Sequence, residues 1–196
     1  VPFINGCDNS YHPCQILADA LTILEKFGTL DVNLMYIGAK NNVFNSHVEF
    51  FSKMKKGTLY GLTPLVNETA CGPDFYEEAK KSGHYIELDP SMSMEEAKEY
   101  ANKMDVLYTD TWVDMEFFNN PAYQKQKEET LAKMMPYQLN GDFTKDSKAI
   151  VFHDMPMHVG FEISQDVVDK NLDHILDEAE NRRHAEKAVM YTLLNS

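Results

Sequence analysis

Apolar residues along this chain switch repeatedly between a helical and a strand-like rhythm. Ile16, Ala20, Ile23, Leu24 and Phe27 recur at helical spacing and Gly28 ends the run. This predicts a helix of about four turns, with His12-Pro13 at its first turn, where proline is tolerated. Val32 to Ile37 is a short apolar run closed by Gly38, which suits a buried strand. Helical spacing returns through Val43, His47, Phe50, Phe51 and Met54. Thr58 to Leu62 reads as a strand closed by Thr63-Pro64, Asp74 opens a short helix to Lys81, and Tyr85 to Leu88 is a third strand. Ser93 caps a helix whose Glu96 completes a capping box. Val106 to Thr109 is a fourth strand, Tyr123 to Met135 a polar helix, and Ala149 to His153 a fifth strand. The closing helix spans Glu178 to Leu194, with Ala185, Ala188, Val189, Thr192 and Leu193 as its apolar stripe.

Strands alternating with helices indicate βαβ units, so the expected fold is α/β: a Rossmann-like parallel sheet of about five strands with helices on both faces. In such sheets ligands gather beyond the carboxyl ends of the strands. That rule selects three loops: Gly38 to Asn42, Asp110 to Trp112, and His153 to Pro156.

The chain has 196 residues, 43% of them hydrophobic, enough to bury the core of one large domain. A net charge of −13 with no basic stripe argues against nucleic acid and anionic membrane surfaces. No apolar run approaches the roughly 20 residues of a spanning helix, and the start carries no signal segment. Three unpatterned cysteines, Cys7, Cys14 and Cys71, suit a reduced, cytoplasmic setting. The chain opens on Val1, and Val1 to Gly6 reads as a short buried strand running into a turn. The expectation is the C-terminal part of something longer.

The only two arginines, Arg182 and Arg183, fall at the start of the closing helix. Guanidinium is the better fork for a carboxylate or phosphate, and a helix N-terminus favours anions, so a planar anion is expected near Arg182. Arg183 points elsewhere, since neighbours sit about 100° apart around a helix. Asn41 and Asn42 offer donors and acceptors for an amino acid's head group, or form a plain Asn-rich turn. Asp110 is placed to hold an ammonium or act as a base, or to cap a helix. His153, Asp154 and His158 match no strong metal spacing, and Pro156 breaks the helix that would align them; neither metal nor cofactor is expected. Gly38 to Asn42 lacks a dinucleotide-binding glycine pattern.

Together these residues closely resemble the ornithine carbamoyltransferases, within the aspartate/ornithine transcarbamylase family. The matching segments are His12-Pro13-Cys14-Gln15, Asn41-Asn42 with Ser46, Thr109-Asp110-Thr111-Trp112, His153-x-Met155-Pro156 and Glu180-Asn181-Arg182. The resemblance spans the chain in order but covers only the family's second half. It implies a remnant of the carbamoyl-phosphate domain's last strand (1–9), an interdomain helix (10–28), an ornithine/aspartate-binding domain (29–177) and a C-terminal interdomain helix (178–196). The N-terminal carbamoyl-phosphate domain, with its Ser-x-Arg-Thr loop, is absent from these 196 residues and is expected in a frame that continues upstream of Val1.

The family pattern implies roles by position. His12 and Gln15 would face the carbamoyl group, with His12 polarising its oxygen and Arg182 on the same side. Asn42 and Asp110 would hold the amino-acid substrate. His153, Asp154, Met155 and Pro156 would offer backbone carbonyls to the reacting nitrogens, with Met155–Pro156 cis. The implied activity is carbamoyl transfer from carbamoyl phosphate to ornithine, giving citrulline in arginine biosynthesis, by a cytoplasmic homotrimer when full length.

Two departures stand out. Asp154 replaces the usual cysteine, and Asp114-Met115-Glu116 replaces Ser-Met-Gly, where substrate contacts would lie. Both add carboxylates beside the expected amino acid. They are drift in loops whose backbone makes the contacts, the marks of a non-catalytic binding or regulatory relative, or a change of acceptor towards another amine such as putrescine or lysine.

Overall fold

A computed structural model describes residues 2–113 and 115–195. Five strands form one all-parallel sheet: β1 (Asn33–Lys40), β2 (Thr58–Val66), β3 (Tyr85–Glu87), β4 (Val106–Thr109) and β5 (Ile150–His153), in the order β3-β2-β1-β4-β5. Among the described residues there are also two short 3-10 helices, Pro121–Tyr123 and Met135–Tyr137, and eight α-helices: α1 (Pro13–Phe27), α2 (Asn42–Met54), α3 (Pro73–Lys80), α4 (Met94–Ala101), α5 (Met115–Phe118), α6 (Gln124–Met134), α7 (Gly141–Thr144) and α8 (Gln165–Leu194).

Side chains alternate across a strand, and both faces of this sheet are covered. Leu34, Tyr36, Val106, Tyr108 and Phe152 pack with Ile23 of α1, Phe44 and Phe51 of α2 and Tyr76 of α3. Met35, Ile37, Leu107 and Val151 pack on the opposite face with Ala97 of α4, Phe143 of α7 and Val167, Val168 and Ile175 of α8. The α/β architecture with helices on both faces is therefore as expected.

Three expectations need correction. The described residues of the opening segment, 2–6, form no strand, and Phe3 is 91% exposed. An extended segment becomes a strand only by pairing, and no strand of the sheet pairs with it. β2 does not stop at Thr63-Pro64 but runs to Val66. Its pairing with β1 shifts register between Ile37 and Ala39, so Pro64 sits at an irregularity where the ladder does not require its missing N–H. Finally, α8 begins at Gln165, thirteen residues before Glu178, because Val167, Val168 and Ile175 extend its buried face beneath the sheet.

α1 and α8 lie side by side. Asn181 Nδ2 donates to Thr22 Oγ1 at 3.0 Å and to Glu25 Oε2 at 2.7 Å, and Lys26 pairs with Asp177.

Candidate active site

The chain leaves β1 to build β2 and β3 on one side, then returns to add β4 and β5 on the other, so the strand order reverses between the parallel neighbours β1 and β4. That is where an open α/β sheet places a ligand crevice. Asn41 caps α2 there, its Oδ1 accepting the Phe44 N–H at 2.9 Å. The same side chain donates from Nδ2 to Asp110 Oδ2 at 2.7 Å, tying the two loops of the reversal together. Asp110 Oδ1 accepts the backbone N–H of Thr111 at 2.6 Å. Burial raises the Asp110 pKa, opposed by nearby His153 and the bond from Asn41.

A cleft of about 400 Å³ opens over this junction, walled by residues 7–9, His12, Asn41 to Val43, Thr69, Asp110, Thr111 and Asp154 to Pro156. The Met155–Pro156 bond is cis, as the resemblance implied. Asn42 donates from Nδ2 to the Asp8 carbonyl at 2.9 Å, and Asp8 Oδ1 accepts the N–H groups of Ser10 and Tyr11. Asn42 therefore pins the segment leading into α1.

His12 is held by its backbone N–H, which donates to Ser46 Oγ at 2.7 Å. Its Nε2 lies 3.0 Å from Nη2 of Arg182. Guanidinium only donates, so Nε2 accepts and the imidazole is neutral with its proton on Nδ1. Burial, then the Arg182 charge, push the His12 pKa down to about 4. Asp154 closes the group, 3.7 Å from Arg182 Nη1 and 3.8 Å from His12 Nε2. Burial, reinforced by Asp110, Asp19 and Glu178 against Arg182, pushes its pKa up to about 9. These surroundings favour the uncharged carboxylic acid at neutral pH.

Below the cleft floor lies a buried polar layer. Gln15 Nε2 donates to Asp19 Oδ1 at 2.9 Å and to Glu178 Oε1 at 2.8 Å. Glu178 Oε2 accepts the His153 backbone N–H at 2.9 Å. The His153 ring does not line the cleft; its Nε2 lies 3.1 Å from Glu162 Oε1.

Of the expected site residues, His12, Asn41, Asn42, Asp110, Asp154 and Met155 meet in the cleft, and Arg182 reaches it through His12 and Asp154. Gln15 and the His153 ring sit beneath it. Asp114 lies outside the described residues, as does the side chain of Met115, although its backbone opens α5. Contrary to expectation, Arg182 does not stand at a helix start: it sits 17 residues into α8, about 25 Å from the N-terminus, where the terminal dipole no longer acts. Asp19 and Glu178 went unremarked as polar groups of the site. Asp19 is four residues after Gln15 and seven after His12, so helical spacing puts all three on one face. Among the described residues, no group of three or more His, Cys, Asp or Glu side chains is arranged to hold a metal ion. No helix among them is long and apolar enough to cross a membrane.

Residues 30–193 match the family model for the Asp/Orn binding domain of aspartate/ornithine carbamoyltransferases. The ornithine carbamoyltransferase of Chlorobaculum tepidum is 35% identical over 201 residues, covering 100% of this chain and 55% of the relative. Among solved structures, the ornithine carbamoyltransferase of Pyrococcus furiosus superposes with a TM-score of 0.78 at 34% identity, covering 97% of this chain and 58% of its own. The anabolic ornithine carbamoyltransferase of Campylobacter jejuni gives a TM-score of 0.81 at 26% identity, covering 100% of this chain and 62% of its own. The chain thus spans a little over half the length of the relatives it matches. With the parallel sheet, the reversal-point cleft and the ordered motifs in agreement, the chain belongs to the aspartate/ornithine carbamoyltransferase family, as its Asp/Orn binding domain.

Proposed function

We propose that this chain is the amino-acid-binding half of an enzyme that moves the carbamoyl group of carbamoyl phosphate to the side-chain amine of ornithine, giving citrulline and phosphate. One observation carries the reading: Asp110, fixed by Asn41, faces the same cleft as the His12–Arg182 pair. An acid that can hold an amine thus stands opposite donors suited to a carbamoyl oxygen. The neutral amine attacks the carbamoyl carbon; the new C–N bond forms, the C–O bond to phosphate breaks with its electrons, and the amine sheds one proton. Such a step needs positioned reactants and donors at the developing oxyanion, with no covalent intermediate. Arg182 supplies the fork, and His12 steadies it by accepting one of its N–H groups. Asp154, whose surroundings favour its uncharged form, stands in for a thiol while adding little charge.

Carbamoyl phosphate is a dianion, and the cleft offers it one guanidinium, that of Arg182. The remaining donors belong to a carbamoyl-phosphate domain, part of them in a neighbouring subunit of a homotrimer, and the 196-residue chain alone does not catalyse. A second reading has specific support. Asp8 and Asp110 line the cleft, and the one arginine that reaches it among the described residues, Arg182, is engaged with His12 and Asp154, which leaves no cation for an amino acid's carboxylate and suits a diamine. A carbamoyl-phosphate-dependent assay of the full-length protein across ornithine, lysine and putrescine decides. Citrulline formation preferred over both others supports the first reading, preference for putrescine the second, and no product with any amine overturns both.

A further inference from the structure

The layer beneath the cleft contains two facing acceptors that only a proton can join. His47, on α2, has Nδ1 3.1 Å from the carbonyl of Val43, which can only accept, so Nδ1 carries the proton. Its Nε2 then presents a lone pair to Asp19 Oδ2 at 3.2 Å, and neither atom has another partner. A proton between them turns the two facing acceptors into a hydrogen bond. On its other side, Asp19 Oδ1 shares the Gln15 amide with Glu178 Oε1. The groups that face Asp19 are therefore Gln15 on its own helix, His47 on α2 and Glu178 on α8. The Tyr108 hydroxyl of β4 lies 3.4 Å from the same amide, and Arg182 and Asp110 act from farther away.

We propose that Asp19, with Glu178 and a proton shared with His47, is a positioning residue that fixes the Gln15 amide, occupying both of its N–H bonds and leaving its carbonyl oxygen as the end that meets the carbamoyl nitrogen. The inference rests on the carbamoyl-transfer reading of the cleft. The Glu178 carboxyl that takes one amide proton also holds the backbone N–H of His153, at the head of the loop containing the cis Met155–Pro156 bond. One clamp thus sets both the glutamine and that loop. Burial raises the Asp19 pKa to about 7 and lowers that of His47 to about 4. The shared proton is therefore expected in mildly acidic solution and expected to leave as the pH rises past neutrality.

The test is NMR of the chain with ¹⁵N-labelled glutamine side chains, the Gln15 amide being assigned by its loss in Gln15→Leu. Both Gln15 amide protons are expected to exchange at least about tenfold more slowly than those of exposed Gln126, and their shifts to titrate near neutral pH. Asp19→Asn supplies an amide N–H to His47 Nε2 and a carbonyl oxygen to Gln15. It keeps the slow exchange and abolishes the titration, whereas Asp19→Ala brings exchange to the rate of Gln126. Fast exchange in the wild type, or loss of protection in Asp19→Asn, overturns the proposal. If Asp19→Ala fails to fold, the comparison of Asp19→Asn with wild type still decides. In the full-length protein, kcat/KM for carbamoyl phosphate should fall about tenfold or more in Asp19→Ala and stay near wild type in Asp19→Asn. Equal losses in the two variants overturn the positioning role. No turnover by the wild type instead strikes the carbamoyl-transfer reading and leaves the NMR result to judge the clamp.

Discussion

Arg182 donates to Nε2 of His12 across 3.0 Å, although the two residues are 170 positions apart in the chain. The contact fixes the histidine tautomer and holds the guanidinium beside the cleft residues His12 and Asp154. It also makes the His12 pKa a reporter of Arg182. Removing the guanidinium charge in Arg182→Leu should raise the His12 pKa from about 4 towards its ordinary value of 6.5, stopping short because burial, the larger cause, remains. Imidazole NMR titration reads this directly. An unchanged pKa would mean the two side chains do not meet in solution.

Asn41 carries two duties that substitution separates. Asn41→Ala loses both the α2 cap and the Asp110 partner, so stability should drop by about 1–2 kcal/mol in urea unfolding and activity should fall with it. Asn41→Asp keeps a capping oxygen but sets a carboxylate against Asp110. It should hold most of the stability while losing activity more than tenfold, about 1.4 kcal/mol or more. If both variants lose the two properties in parallel, the amide to Asp110 has no separate role.

Asp154 gives the protein a pH dependence whose sign follows from proton counting. The folded state binds a proton on Asp154 up to about pH 9, whereas an unfolded aspartate releases it near 3.8. His12 does the reverse between about 4 and 6.5, so over that window the two nearly cancel. Above pH 6.5 the Asp154 contribution stands alone within this pair. Stability should fall from there to about 9, by at most about 1.4 kcal/mol per pH unit for this one proton. Asp154→Asn should flatten that slope by up to one proton and retain activity at pH 7, since a neutral group replaces a neutral group. An unchanged slope in the variant would show that Asp154 is already ionised at neutral pH.

Gly57 is a structural requirement at the start of β2. Its φ is +65°, and a Cβ there would stand 2.2 Å from the carbonyl oxygen of Val32, a backbone atom with nowhere to go. Gly57→Ala should cost about 3 kcal/mol or more, read as a lowered urea midpoint with an unchanged slope. A loss below half that figure would show that β1 and β2 separate easily at this end.

Much of this was legible in the residues themselves. Strand alternation such as Leu34-Met35-Tyr36-Ile37 announces a sheet covered on both faces, and the Ser93–Glu96 capping box appears where its spacing puts it. The three loops chosen from the strand ends all border the cleft. What escaped was long-range or masked by polarity. The first half of α8 buries Asn171 among its apolar positions and begins without a proline or glycine boundary, so its start went unseen. The opening apolar residues look buried, but only pairing could have made them a strand. The His153 ring turns inward because Glu162, nine residues on, accepts it, a partnership no local pattern reveals. Asp19 carries a signal in its helical spacing from His12 and Gln15, yet only the approach of α2 and α8 shows why an acid belongs there.

α8 is a single rod of 30 residues, about 45 Å long at helical rise. Its first turns are seated in the lower apolar layer through Val167 and Val168, and Glu178 and Arg182 are borne farther along the same shaft. The rod therefore works as an indexing pin between core and cleft. Inserting or deleting one residue between 169 and 177 would turn everything downstream by about 100° and carry both side chains off their targets while leaving the helix itself intact. Length in that stretch is locked by angular phase, and sequence drift there can proceed by substitution but not by changes in count.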